Sequence, residues 1–224
     1  MTTLTPSDAV SLVRKNLDEL DPNGSVMYDP DNAYGDNASL DDTIKRMLPE
    51  AVNAVHLAAP VQLLEGKSAT IAAPSVSDDG VLSFSLGSGS KYLRLVAFRA
   101  ADSAVVVTDT IPEASPEGRK QLNKYVRGRY DRPRLVLLQG RHTEPAFKYY
   151  TISDLETYSA SPETAIALCT YVEEQFYASD ATGYDISRRL RQNIIDYLTA
   201  RVMETFSDPR AQSWYQKANT YSTI

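Results

Sequence analysis

The apolar residues of this 224-residue chain change their spacing twice along the sequence, and these changes limit the folds that it can adopt. Up to about residue 60 they recur every three or four positions, which is typical of helices with one buried face. From about residue 80 they alternate with polar residues, as in half-buried strands, and after residue 160 the helical spacing returns. We therefore predict an α+β fold, with a helical bundle built from both chain ends and an inserted, mainly antiparallel β lobe.

Two helices are predicted in the N-terminal part of the chain. The first begins near Pro6, where Thr5 or Ser7 can cap it. The second begins after Ser39 and continues the helical spacing of apolar residues beyond Pro49. Because proline removes a backbone donor and clashes with the preceding turn, Pro49 is expected to kink or divide this helix.

Five segments in the middle of the chain have the composition of short strands bounded by turn residues. These segments are residues 81–86, 92–99, 104–108, 134–139 and 146–152. Their connections are short, which favours antiparallel pairing.

The helical spacing returns in the C-terminal part. One helix is predicted to start at Ser161-Pro162 and to bury one face, formed by Ala165, Leu168, Cys169, Val172 and Phe176. A longer helix is predicted over residues 185–206, and the tail after Pro209 is expected to have weak structure. We thus predict four parts: 1–66, an N-terminal helical part; 67–155, the β lobe; 156–206, helices that complete the bundle; and 207–224, the tail.

Charge is distributed unevenly along the chain. Seven of the 23 basic residues fall within residues 119–134, which we call the basic segment, and Asp131 is its only acid. The rest of the chain has 16 basic and 28 acidic residues. Residues 16–43 alone have eight carboxylates and no Lys or Arg. Such polarisation suits a surface that meets a polyanion or another copy of the same chain.

Three interpretations of the basic segment are open from the residues alone. It can be a solvated loop, a contact for an acidic protein surface, or a contact for DNA phosphates, which Arg and Lys bind without reading sequence. Tyr125 and Tyr130 lie among the charges and suit either base stacking or a protein interface. The predicted interface residues are Arg119, Lys120, Lys124, Tyr125, Arg127, Arg129, Tyr130, Arg132, Trp214 and Tyr215.

The composition argues against several classes of protein. The net charge of −6 argues against nucleic-acid binding by the whole surface. One cysteine excludes an internal disulfide. No apolar run approaches the ~20 residues of a membrane span, and the first 21 residues lack the apolar core of a signal peptide. We expect no membrane association.

The sequence does not predict a catalytic, cofactor-binding or metal site. His56 and His142 are far apart and lack further ligands at metal-binding spacing. Cys169 lies on a predicted buried face, which indicates a core thiol. Residues 87–90 lack the ending of a phosphate-binding loop. The acidic loop from Asp29 to Asp36 does not have the pattern of a calcium-binding loop, with glycine at the sixth position and glutamate at the twelfth.

Several stretches of the chain together resemble a known protein family. They are Ser39-Leu40-Asp41-Asp42 with the helix through residues 48–64, the strand at 92–96, residues 121–133, and the tyrosine-rich strand that follows. These stretches, within residues 39–155, resemble the head–tail connector (ring or adaptor) proteins of crAss-like phages. The family has no short functional motif, so no site residue follows from the resemblance.

The resemblance implies a non-enzymatic virion protein without a cofactor. It implies a homo-oligomeric ring of twelve copies in the phage neck, made in the host bacterial cytoplasm and located in the virion. The implied partners are the portal protein and other neck or tail proteins, with nonspecific DNA contact in the channel. The alternative from the residues is a nucleic-acid-associated accessory protein that uses residues 119–134.

Overall fold

The structure is a computed structural model that describes residues 1–17, 37–138, 145–151, 155–158 and 160–221. These residues include five α-helices and ten β-strands in three sheets. Contacts divide the chain into two compact units, Met1–Glu65 with Gln175–Ile224, and Gly66–Glu174. Each unit is described by itself.

The helices are α1 (Pro6–Asn16), α2 (Asn37–Ala58), α3 (Pro116–Lys120), α4 (Arg191–Thr205) and α5 (Ala211–Ala218). The strands are β1 (Thr2–Leu4), β2 (Lys67–Ser68), β3 (Ile71–Val76), β4 (Leu82–Leu86), β5 (Tyr92–Ala100), β6 (Ile111–Pro112), β7 (Arg134–Leu137), β8 (Ala146–Tyr150), β9 (Ile166–Glu173) and β10 (Tyr184–Ile186).

The first unit combines helices with a small sheet. β1 pairs with β10 in antiparallel register, and α4 packs against α1, α2 and α5. The predicted start of α1 is confirmed, because the Thr5 side chain accepts a hydrogen bond from the Asp8 backbone N–H at 3.1 Å. The apolar residues Ile194 and Leu198, which are four positions apart on α4, are both fully buried.

The predicted fold class is wrong. The described chain is a mixed α/β structure, and its helices do not form a bundle made from both chain ends. The first unit contains the sheet of β1 and β10, and residues predicted to complete the bundle are extended instead. Residues 184–186 form β10, so the long helix begins only at Arg191, after a 3-10 turn.

The predicted helix after Ser161-Pro162 is also wrong. Its start is a single 3-10 turn, Pro162–Ala165, and the chain then continues as β9, the central strand of a three-stranded sheet. Cys169 and Tyr171 are both buried there, two positions apart, whereas Leu168 is exposed. Alternation of this kind is the strand period, and the chain's β-branched and aromatic residues at this point favour it.

The tail prediction is wrong as well, because residues 211–218 form α5. Tertiary contacts hold this short helix against α4. The rings of Tyr197 and Tyr215 meet edge to face, with centroids 5.3 Å apart. At the helix end, the Asn193 side chain donates to the Ala218 carbonyl at 2.7 Å.

The second unit contains two larger sheets. One has the order β2-β9-β5, and the other has the order β3-β4-β8-β7-β6. All pairings are antiparallel except β6 with β7, so the prediction of mainly antiparallel pairing is confirmed for the described strands. Four of the five predicted strands correspond to β4, β5, β7 and β8. The fifth, at 104–108, makes only an isolated bridge between Val107 and Phe98.

Stacked aromatic rings form the centre of the second unit. Phe84 stacks on both Phe98 and Phe147, with ring centroids 5.2 Å apart in each pair. Phe98 also meets Tyr149, at 5.1 Å between centroids. Aromatic pairs of this geometry contribute about 0.5–1.5 kcal/mol beyond their buried area. They fix the strands β4, β5 and β8, and β7 pairs directly with β8.

Pro49 does not divide α2, which is continuous from Asn37 to Ala58 and starts two residues before the predicted cap, Ser39. Among the described residues, no helix has the length and hydropathy needed to cross a membrane. Residues 18–36, which hold most of the acidic stretch and the 29–36 loop, lie outside the described residues, and so does His142.

Candidate interaction surface

The basic segment starts on α3 and ends on β7. The Ser115 side chain caps α3 by accepting a hydrogen bond from the Gly118 N–H at 3.0 Å. Turns follow through residue 126, and Arg134 is the first residue of β7, where it pairs with Tyr150 of β8. The segment is therefore a loop attached at both ends to defined elements.

One buried side chain ties the middle of this loop together. The Gln121 side-chain N–H donates to the Glu117 carbonyl at 3.0 Å, and its side-chain carbonyl accepts from the Gly128 N–H at 2.8 Å. Gln121 is buried although its neighbours in the sequence are exposed. A buried backbone donor needs such a partner, so Gln121 fixes the path of residues 121–128.

The loop lies directly on the sheet at Gly128. A Cβ atom added at Gly128 would be 2.5 Å from the carbonyl oxygen of Tyr150 and 2.8 Å from the backbone nitrogen of Arg134. Only glycine permits this close backbone approach. The basic segment is thus packed on the ends of β7 and β8.

A tight turn projects the next residues outward. Arg129 and Arg132 exchange two backbone hydrogen bonds, at 3.2 and 3.0 Å. Tyr130 and Asp131 occupy the tip and are exposed, whereas Pro133 behind the turn is buried. Arg129 and Arg132 are therefore paired across the turn, and their side chains start from adjacent backbone positions.

The segment exposes large apolar side chains between its charges. Leu122 is 69% exposed, Tyr125 79%, Val126 61% and Tyr130 52%. Eleven large apolar side chains are exposed in the described residues, and four of them lie in these nine consecutive positions. Single exposed apolar residues are ordinary, but a concentrated patch marks a contact surface.

The basic side chains of the segment lack salt-bridge partners among the described residues. Six of the seven are exposed, and Arg127 is half-buried. None of the seven forms a salt bridge with a described carboxylate. Lys124 instead lies over the ring of Tyr125, 5.5 Å from its centroid. The surface is therefore positively charged and unneutralised among the described residues.

Four arginines of the segment line one cavity. It has a volume of about 230 Å³ and is bordered by Arg127, Arg129, Arg132 and Arg134, together with Val126. A second cavity, of about 290 Å³, is lined by residues 105–109 and 131–135 and by Ile111. Arg132 and Arg134 line both cavities.

Arg127 is the most constrained of these arginines. One of its terminal nitrogens donates to the carbonyl of Asp79, and its Nε is buried without a hydrogen-bond partner among the described residues. A buried donor without a partner is unfavourable, so this nitrogen lowers the stability of the folded segment.

Trp214 and Tyr215, also predicted as interface residues, belong to the first unit and are half-buried. Lys217 Nζ lies 3.8 Å from the centroid of the Trp214 ring. The Tyr215 hydroxyl donates to Glu204 at 2.6 Å, and burial followed by this hydrogen bond raises the pKa of Tyr215 to about 12. Both side chains thus have contacts within their own unit.

The two candidate reactive groups are buried and neutral. His56 on α2 accepts a hydrogen bond from the Ser187 N–H at 3.4 Å, and burial lowers its pKa to about 4. Cys169 is buried, as predicted, although it lies on a strand, and burial raises its pKa to about 12. At neutral pH neither group carries charge, so both are buried as neutral side chains.

Sequence reasoning omitted three residues of this surface, Leu122, Val126 and Arg134. A signal for the first two was present, because both are apolar residues within a run of basic residues. Arg134 was assigned to a strand, and the strand position itself does not reveal that its side chain lines a cavity.

Within the described residues, no group of three or more His, Cys, Asp or Glu side chains is placed to hold a metal ion. Comparisons of the chain with family models, curated proteins and solved structures found no match.

Proposed function

We propose that this protein is a non-catalytic structural subunit that binds other proteins through its basic segment. The observation that carries the proposal is the patch of exposed Leu122, Tyr125, Val126 and Tyr130 among unneutralised arginines and lysines. Tyr and Arg are the residues most enriched at the energetic centres of protein interfaces. A surface fixed by Gln121 and Gly128 also loses little conformational freedom when a partner binds.

The assembly that we propose is the head–tail connector of a tailed phage, in the neck ring between the portal and the tail. The family resemblance of residues 39–155 supports this choice. In a closed ring each subunit repeats one heterologous contact, so one surface must complement a different surface of the same chain. The basic segment and the acidic remainder of the chain have such complementary charge.

A nucleic-acid-associated function is the second candidate. Seven basic residues within sixteen positions and two exposed tyrosines favour it, since cations hold phosphates and aromatic rings stack on bases. Leu122 and Val126 favour the protein partner, because exposed aliphatic side chains gain little from a phosphate backbone.

The proposal is tested by measuring the size of the purified protein by sedimentation, alone and with the candidate portal protein. We expect a ring-sized assembly, either alone or on the portal. The Tyr125→Ser variant should reduce assembly at least about tenfold, because interface anchors typically contribute 2 kcal/mol or more. Tyr177→Ser is the matched control, since Tyr177 is an exposed tyrosine of the first unit. A protein that stays monomeric with every partner, or equal effects of both variants, contradicts the proposal.

A further inference from the structure

The cavity of the basic segment has an unusual chemical lining. Four arginine residues border a space of about 230 Å³, and no Asp or Glu is among the residues that line it. Like charges held close together raise the free energy of the empty site. An anion in the cavity would reduce this repulsion.

Hydrogen bonds hold the backbone of three of these arginines, and the side chain of the fourth, before any ligand binds. Arg129 and Arg132 are fixed by their reciprocal hydrogen bonds, and Arg134 by its strand pairing with Tyr150. Arg127 is fixed by its hydrogen bond to the Asp79 carbonyl. Because the backbone at these positions is already ordered, an anion that binds the arginines does not have to order the loop.

We propose that this cavity is an oxyanion-binding site, and that its ligand in the assembly is a side-chain carboxylate on an acidic protein surface. This inference rests on the proposed function, because it names the partner chemistry of the same surface. Guanidinium groups match carboxylate oxygens through paired N–H donors, and such charge-assisted hydrogen bonds are about twice as strong as neutral ones.

Two observations favour a protein carboxylate over a nucleic-acid phosphate. Val126 lines the cavity itself, and Leu122 and Tyr125 are exposed close by in the sequence, so a partner with apolar contacts fits the surroundings. The chain itself is also acidic outside the basic segment, with 28 acidic against 16 basic residues. A second copy of the chain therefore offers carboxylates that can bind these arginines.

The segment provides its own matched control for a test. Arg119 and Lys120 are exposed basic residues of the same segment, but they do not line the cavity. The variants Arg129→Gln/Arg132→Gln and Arg119→Gln/Lys120→Gln therefore remove equal charge, from the cavity and from outside it. Both retain polar, exposed side chains, and the far-ultraviolet spectrum and melting temperature of each variant report its folding.

The binding experiment uses the intact protein at constant ionic strength, with inorganic phosphate as the oxyanion probe and a ten-residue glutamate peptide as the carboxylate probe. We expect saturable shifts of arginine Nε–H signals with both probes in wild type and in the control variant. The cavity variant should bind the peptide at least about tenfold more weakly, as expected for the loss of a charge-assisted hydrogen bond. Absence of saturable binding, or equal weakening in both variants, would overturn the oxyanion site.

A ten-base-pair DNA duplex distinguishes the source of the oxyanion. The inference predicts that any duplex binding is weakened equally by the two variants, because it depends on total charge. Duplex binding lost only in the cavity variant, with peptide binding unchanged, would overturn the carboxylate ligand in favour of phosphate. The proposed function is judged separately, by the assembly measurement on the Tyr125→Ser variant. Weak peptide binding with normal assembly would contradict only the oxyanion site. Failed assembly would contradict the proposed function.

Discussion

The side-chain carbonyl of Gln121 accepts a hydrogen bond from the backbone N–H of Gly128 at 2.8 Å, across seven residues of the basic segment. Both residues are buried beneath a surface whose other side chains are mostly exposed. This bond therefore links the end of α3 to the point where the loop meets β7 and β8. The positions of the exposed tyrosines and arginines depend on it.

Replacing Gln121 by Leu should destabilise the second unit by about 1–3 kcal/mol, because the buried Gly128 N–H would lose its acceptor. Asn123→Ala is the matched control, since the Asn123 side chain accepts from the Tyr125 N–H at an exposed position where water can replace it. Urea unfolding measures both. Equal losses for the two variants would mean that Gln121 does not hold the segment.

Gly128→Ala should cost about 1–3 kcal/mol, or displace the loop, because the added Cβ meets backbone atoms that cannot move independently. Gly87→Ala is the control. Its added Cβ would make only ordinary contacts, at 3.5 Å from Thr70. Thermal unfolding and amide hydrogen exchange of residues 119–134 report the two effects. Full tolerance of alanine at Gly128 would contradict the close approach of loop and sheet.

Ile194→Asp should be severely destabilising, by several kcal/mol, because the position is fully buried on α4 and an uncompensated charge there is costly. Gln212→Asp places the same charge on the exposed surface of α5 and should change stability little. The melting temperatures of the two variants give the comparison. An unchanged melting temperature for Ile194→Asp would show that α4 does not bury this face.

Stability should fall as the solution is acidified from about pH 6.5 to pH 4, in part through His56. Burial lowers the folded-state pKa of His56 to about 4, from an ordinary value of 6.5. Between these values the unfolded chain binds a proton that the folded chain does not, so protonation favours unfolding. Above pH 6.5, His56 is neutral in both states and does not reduce the stability. The free energy of unfolding then falls as the pH decreases from 6.5 to about 4.

The His56→Gln variant isolates this effect, because it cannot titrate. Urea unfolding at pH 7, 5.5 and 4.5 should give a smaller decrease in the free energy of unfolding for the variant than for wild type. Identical pH dependence in the two proteins would mean that folding does not lower the pKa of His56.

Local signals in the sequence predicted many elements of the fold correctly. The start of α1 follows from Thr5 and Pro6, and the alternation of residues 82–86 specifies β4. The strand β9 was missed because Ala165, Cys169 and Val172 have the three- and four-residue spacing of a helix. Its extended conformation depends on pairing with β5 and β2, which lie far away in the sequence. The helix α5 was missed for a related reason, since contacts with α4 stabilise it.

The sequence located the candidate surface but not its geometry. Clustering of cations and tyrosines identified residues 119–134, and this clustering is a property of composition. The cavity is a property of the folded loop, because it requires the tie between Gln121 and Gly128 and the turn from Arg129 to Arg132. No local pattern in the sequence encodes that combination.

The most direct test of the central claim, that the basic segment contacts protein in the assembled particle, is photo-cross-linking from position 125. Tyr125 is replaced by benzoylphenylalanine, particles are assembled and irradiated, and mass spectrometry identifies the cross-linked partner, with position 177 as the control. We expect a defined protein cross-link from position 125, to a second copy or to the portal protein. Cross-links from position 125 to DNA alone, or none above the control, would contradict the account.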